Sequence, residues 1–138
     1  KLSSITEKKI DKILPDLVKP NNPVDLVADA GFYRYEMTTK ALLEDPHIDG
    51  IIVASVHGGY ARPREFTGAI LKMIRERKLH ETHQKPILGT WVGGKEFEDL
   101  VWDLKSAGVP IYPSSWRTAR SMYGLYLEGK RLKREGEE

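Results

Sequence analysis

Residues 48–59 carry the sequence IDGIIVASVHGG, in which a short apolar run is followed closely by a pair of glycines. Because Ile51, Ile52 and Val53 are consecutive, both faces of this strand would be apolar, which is typical of a central strand in a parallel sheet. Pro63 follows at a position that suits the first turn of a helix. The stretch therefore predicts a central parallel strand that leads into a helix.

The same order of elements recurs on both sides of this stretch. Residues 86–94, PILGTWVGG, again place an apolar run before a glycine pair, and a helical pattern follows. Upstream, the apolar run Val24–Ala28 precedes a helical pattern that ends at Asp45-Pro46; downstream, Val109–Tyr112 precedes a last helix. Four strand–helix units in series predict an α/β chain with a flavodoxin-like three-layer fold, in which helices cover both faces of a mostly parallel sheet of four to five strands.

The opening residues have a different pattern. Residues 1–21 predict a short N-terminal helix and a connector, because Pro15 and Pro20 prevent a continuous helix. Residues 22–138 then form the flavodoxin-like domain.

Composition excludes several classes of protein. The 138 residues include no cysteine, which excludes disulfides, thiol catalysis and thiolate metal sites. No apolar run has the length of a membrane span, and we expect a cytoplasmic protein. The net charge is +2, and the basic residues that fall close together near the end suit a solvated helix terminus. Binding of nucleic acid through Lys130, Arg131, Lys133 and Arg134 is the less favoured interpretation.

Candidate binding residues lie where the predicted strands end. In open α/β sheets, ligands bind beyond the carboxyl ends of the strands, and the two glycine pairs, Gly58-Gly59 and Gly93-Gly94, would share that edge. Glycine lets main-chain N–H groups approach an anion at a helix N-terminus, and Arg62 and Arg64 could add direct charge. The pattern indicates a phosphate-facing edge, although glycine pairs that only form tight turns remain the alternative.

Three further residues need an interpretation. His57, beside Gly58, either donates a hydrogen bond to a phosphate or acts in proton transfer, or it only lines the rim of the crevice. Asn22 and Asp25 begin the first predicted strand, and we assign them to a structural turn. His80 and His83 have no further ligand at a suggestive spacing, so no metal site is predicted. No residue of the chain is assigned a catalytic role.

Several segments together resemble the CoA-ligase domain of NDP-forming acyl-CoA synthetases, which are related to succinyl-CoA synthetase. These segments span nearly the whole chain: NPVDL at 22–26, YRY at 33–35, ALLEDP at 41–46, IDGIIV at 48–53, KPI at 85–87, WVGG at 91–94 and GVPIY at 108–112. The resemblance implies that residues 22–138 are the second flavodoxin-like domain of such an enzyme, which is an ADP-forming acetate–CoA ligase or a near relative.

The resemblance also implies a reaction and partners. Such enzymes convert acid, CoA and ATP to acyl-CoA, ADP and phosphate through an acyl phosphate and a phosphohistidine, and they require magnesium. The phosphorylated histidine lies on another domain, so that role does not transfer to His57. The implied partners are CoA-binding, phosphohistidine and ATP-grasp domains in an oligomeric enzyme. This domain would bind no cofactor alone, would be inactive alone, and would present Gly58-Gly59 to the phosphohistidine. The alternative is a free-standing flavodoxin-like module that binds a small ligand or regulates a partner.

Overall fold

A computed structural model describes residues 1–56, 62–78 and 85–136 of the chain. Its helices and strands follow one another as α1 (Ser4–Asp11), α2 (Phe32–Glu44), β1 (Ile51–Val56), α3 (Pro63–Arg77), β2 (Ile87–Val92), α4 (Glu96–Ser106), β3 (Ile111–Tyr112) and α5 (Ser115–Glu135). The strands form a parallel sheet in the order β1-β2-β3, with Ile51 opposite Ile87 and Gly89 opposite Ile111. The predicted α/β class and the parallel sheet are confirmed.

One face of the sheet carries most of the apolar core. Helices α2, α3 and α4 pack there against side chains that alternate along the strands. Phe66 of α3 is at the centre, with ring centroids 4.9 Å from Tyr35, 5.8 Å from Trp91 and 6.4 Å from Phe97. Tilted aromatic pairs at these separations add to the stability that burial alone supplies.

The opposite face is covered by α5, which packs across all three strands. Leu88 and Thr90, which alternate with the first set of side chains, are buried on this side. The Thr118 hydroxyl donates a hydrogen bond to the carbonyl oxygen of Gly89 at 3.3 Å and joins α5 to the central strand. Helices therefore lie on both faces of the sheet, as predicted.

The predicted first strand is not a strand. Residues 24–28 have no regular secondary structure, so the part of the chain that the structure describes has three strands instead of four to five. Val27 has φ 66°, a left-handed conformation that a β-branched residue rarely adopts and that a strand cannot contain. No main-chain hydrogen bond joins residues 24–28 to β1, and a cavity of about 380 Å³ lies between them.

The missing pairing also changes the position of β1. Within the described residues it pairs only with β2, so it is an edge strand of the sheet, and the prediction of a central strand is wrong. Its burial alternates accordingly: Ile51 and Val53 are buried, whereas Ile52 and Val56 are exposed. An apolar run does not reveal by itself whether a neighbour covers its second face.

Helix α1 packs beside α2. The Ser3 side chain caps it by accepting a hydrogen bond from the Thr6 N–H, and Ile10 is fully buried against Ala41 and its neighbours. None of the helices in the described ranges combines the length and the apolar composition that a membrane span requires.

Candidate functional site

The carboxyl ends of the strands are the predicted site. Arg62, Arg64, Gly93 and Gly94 are described at this edge, whereas His57, Gly58 and Gly59 lie outside the described residues. The geometry therefore concerns the start of α3 and the start of α4, with the loop before α2 beside them.

Two arginines flank the first residue of α3, Pro63. Arg62 is the residue before the helix, its side chain does not cap the first main-chain N–H groups, and 65% of that side chain is exposed. Its Nη1 donates to Oε1 of Glu65 at 3.1 Å. Arg64, in the first turn, is exposed and has no ionic partner among the residues that the structure describes. The start of α3 therefore presents two cations, of which one is already paired.

Glu65 links the start of α3 to the start of α2. Its Oε2 accepts a hydrogen bond from the Phe32 N–H at 3.2 Å, although α2 has no side-chain cap of its own at Gly31. A Cβ on Gly31 would lie only 2.5 Å from this oxygen, so a glycine there leaves room for the carboxylate. The Phe32 N–H and the Arg62 guanidinium together lower the pKa of Glu65.

The sequence analysis did not single out Glu65. An acidic residue in the first turn of a helix is expected to interact with its own helix, so the sequence offers no sign that it caps another one. The first N–H of α2, that of Phe32, therefore already donates to the Glu65 carboxylate. Of the helix starts at this edge, α3 and α4 remain the better candidates for an external phosphate.

A second carboxylate, in the loop before α2, is paired with another arginine. Asp29 forms an ion pair with Arg34 at 2.6 Å, and Arg34 also donates to the Leu26 carbonyl oxygen at 2.7 Å. The hydrogen bond from Arg34 is the main cause of the lowered pKa of Asp29, and the charge of Arg62 lowers it further. Arg62 is therefore paired with Glu65, and an external anion would compete with that carboxylate.

Helix α4 begins after the second glycine pair. Gly93 and Gly94 are both exposed, and no side chain caps the helix that starts at Glu96. The Gly94 carbonyl oxygen accepts from the Phe97 N–H at 3.0 Å. Neither glycine has a positive φ, so the backbone of this turn does not itself require glycine. Exposed main chain and an uncapped helix start are what close approach of an anion would need.

The loop before α5 and the segment that holds Asn22 and Asp25 are also described by the structure. Ser114 caps α5 by accepting from the Arg117 N–H at 3.4 Å. Asn22 and Asp25 are exposed; Asp25 Oδ1 accepts from the Val27 N–H at 2.9 Å, and the Asn22-Pro23 peptide bond is cis. Both residues line the cavity beside β1.

The cavity between residues 22–28 and β1 is lined by polar and apolar groups in similar proportion. Tyr35 and Ser55 both line it. Burial raises the pKa of the Tyr35 hydroxyl, and a hydrogen bond with Ser55 opposes that shift. No cluster of His, Asp or Glu suited to a metal ion occurs within residues 1–56, 62–78 and 85–136.

Comparison with known proteins identifies the family. Residues 2–131 match the Ligase-CoA domain. The chain belongs to this family. The resemblance found in the sequence is therefore confirmed.

The similar proteins are much longer than this chain. The α subunit of acetate–CoA ligase [ADP-forming] II from Pyrococcus furiosus is 30% identical over 137 residues, which cover 96% of this chain and 29% of that subunit. The 4-hydroxybutyrate–CoA ligase [ADP-forming] from Nitrosopumilus maritimus is 30% identical over 127 residues, covering 91% of this chain and 17% of that enzyme.

A solved structure shares the fold of nearly the whole chain. It is the apo form of dinucleotide-forming acetyl-coenzyme A synthetase 1 from Ca. Korarchaeum cryptofilum, with a TM-score of 0.82 and 26% identity over 94% of this chain and 28% of that one. The same synthetase in complex with phosphate and ADP gives a TM-score of 0.78 at 26% identity, over 91% of this chain and 26% of that one. The chain thus spans less than a third of the proteins it resembles.

Proposed function

We propose that this chain acts as the Ligase-CoA module of an ADP-forming acyl-CoA synthetase. The observation that carries the proposal is the family match over residues 2–131 in a chain that spans 29% of a ligase α subunit. The reaction is the conversion of acid, CoA and ATP to acyl-CoA, ADP and phosphate. It belongs to the assembled enzyme, and the module alone is inactive.

In this proposal the cofactors are bound elsewhere in the enzyme. CoA, ATP or ADP, and magnesium belong to CoA-binding and ATP-grasp domains, and the phosphorylated histidine to a further domain. The assembly would be an oligomer in the cytoplasm.

The contribution of the module is a phosphate-facing edge. Arg62 and Arg64 supply positive charge at the start of α3, and the exposed main chain of Gly93 and Gly94 leads into the uncapped start of α4. Cations and helix N-termini stabilise a doubly charged phosphoryl group through charge and hydrogen bonds. His57, Gly58 and Gly59 belong to the same proposal by their place in the sequence.

Reconstitution tests the proposal directly. The chain is mixed with the separately produced remaining domains of its synthetase, and acyl-CoA formation that depends on CoA and ATP is measured. We expect activity only in the mixture. Acyl-CoA formation by the chain alone, or no association and no activity on mixing, contradicts the module and favours a free-standing ligand-binding domain.

A separate variant tests the role of the phosphate-facing edge. Replacing Arg62 and Arg64 together with alanine is expected to lower the rate of the mixture at least tenfold, while leaving association intact. Arg75→Ala is the matched control, because Arg75 is an exposed arginine at the opposite end of the same helix. Equal rates for the double variant and the control would remove the edge from the mechanism.

A further inference from the structure

Helix α5 extends well beyond the body of the domain. It contains 21 residues and is therefore about 31 Å long. Thr118 is fully buried, and Ser121 and Met122 are half-buried, but residues 123–135 are all exposed. We call residues 123–135 the overhang. More than three turns of helix thus project without support from the rest of the described chain.

The overhang continues the face by which α5 packs on the sheet. Thr118 hydrogen-bonds the Gly89 carbonyl oxygen, and Met122 lies against Gly50, where an added Cβ would be 2.9 Å from its sulfur. Residues on one face of a helix recur at alternating spacings of four and three, so the face of Thr118 and Met122 continues into the overhang. There it forms a stripe of three residues, Leu125, Gly129 and Leu132. The two leucines are 47% and 55% exposed, so no described residue covers this continuation of the packing face.

Gly129 lies between the two leucines of this stripe. A Cβ added there would meet no atom within 4 Å, so the domain itself gives no reason for a glycine. Glycine inside an exposed helix costs about 1 kcal/mol relative to alanine. A glycine flanked by apolar residues lets a second helix approach the backbone closely. Together with the exposed leucines, it indicates a helical partner.

The charges beside the stripe specify that partner further. On one side, Glu128 and Glu135 both form ion pairs with Arg131, so their charges are partly neutralised within the helix. On the other side, Lys130 lies over the Tyr126 ring at 5.5 Å, and Lys133 has no carboxylate partner among the described residues. One flank is therefore cationic, and it complements an acidic flank.

A second copy of this chain fits the stripe less well. In an antiparallel pair of helices, equivalent flanks face each other, so lysines would meet lysines. In a parallel pair, the first half of the second helix would run into the sheet, because the body of the domain occupies the same face at Thr118 and Met122. Charge and space both favour a different partner.

We propose that the overhang docks onto an amphipathic helix with an acidic flank, in another domain of the same synthetase. This inference rests on the proposed function and names the surface by which the module joins its enzyme. The apolar stripe supplies buried area, Gly129 sets the close approach, and Lys130 and Lys133 select the acidic side.

Two glycine substitutions provide the test. Gly129→Leu fills the stripe, whereas Gly124→Leu makes the same change outside the stripe, about 140° away around the helix, where an added Cβ also meets nothing within 4 Å. Binding of each variant to the remaining domains is measured by titration calorimetry. We expect Gly129→Leu to weaken binding at least tenfold and Gly124→Leu to leave it unchanged. Thermal unfolding should show that neither variant loses stability.

Further outcomes separate this inference from the proposed function. Reversing Lys130 and Lys133 to glutamate should also weaken binding at least tenfold. If the wild-type chain binds and acyl-CoA forms, but Gly129→Leu and the charge reversal bind normally, the docking surface is wrong and the module stands. If the chain binds no other domain, both proposals fall. A dimer of the chain alone that Gly129→Leu dissociates in sedimentation would replace the partner helix with a second copy.

Discussion

Replacing Asp45 with asparagine should destabilise the domain in a pH-dependent way. Asp45 is completely buried at the end of α2, and its two carboxylate oxygens accept from different main-chain donors. Oδ2 accepts from the Ser3 N–H and Oδ1 from the His47 N–H, both at 2.9 Å. Asparagine has one acceptor oxygen, so its NH₂ group would face one of these donors.

The magnitude follows from the pKa of this carboxyl. Burial alone would raise it, but hydrogen bonds from His47, Ser3 and Thr6 outweigh burial and lower the pKa from 3.8 to about 2. At 1.36 kcal/mol per pH unit this shift contributes about 2 kcal/mol to the free energy of unfolding. Because the pKa is depressed on folding, the contribution is present above pH 3.8 and disappears as the pH falls toward 2.

Urea denaturation at several pH values measures this effect. At pH 7, Asp45→Asn should lose about 2–3 kcal/mol of unfolding free energy, with a fall in Tm of about 10 °C. The difference from the wild type should narrow steadily below pH 4. Asp49→Asn is the control, since Asp49 is exposed nearby and should change stability little. A loss at pH 7 below about 0.5 kcal/mol, or one equally large at pH 3, would refute the reasoning.

Three other substitutions test separate features. Gly89→Ala should lower the free energy of unfolding, measured with denaturant, by at least about 2 kcal/mol, because the new Cβ would lie 2.3 Å from Cζ3 of Trp91. If the variant were as stable as the wild type, the core would be able to rearrange around the methyl group. Val27→Gly should raise the unfolding free energy by up to about 1 kcal/mol by relieving φ 66°, and a loss would mean that the valine side chain matters more than the strain. In an NMR titration Glu65 should have a pKa below its ordinary value of 4.5, and Arg62→Ala should raise it; an unchanged value would place Arg62 away from the carboxylate in solution.

Local patterns predicted most of the fold. The apolar runs at Ile51–Val56 and Ile87–Val92 are the strands β1 and β2, and Asp45 does follow the last residue of α2. These signals lie within a few residues of one another, since strand and helix periodicities are local properties. Val24–Ala28 has the same apolar signal, but its backbone turns at Val27 and makes no pairing with β1.

The sequence predicted where the candidate residues lie on the sheet, but not the contacts that their neighbours make. Arg62, Arg64, Gly93 and Gly94 follow strand ends in the sequence, and topology brings those ends to one edge. Glu65 was missed, because its capping contact joins it to Phe32, 33 residues away, and depends on how α2 and α3 pack. A side chain that caps a different helix produces no recognisable pattern in the sequence of either helix.

The sequence by itself determined the family, the alternation of strands and helices, and the edge of the sheet at which the candidate residues lie. Each depends on residue types and short spacings, which can be read without knowing which distant segments are in contact. Only the tertiary structure decided that β1 is an edge strand, that Glu65 holds the start of α2, and that α5 extends beyond the body. Those features arise from contacts made or missing between distant segments, and the free energy of such contacts depends on geometry that no local pattern contains.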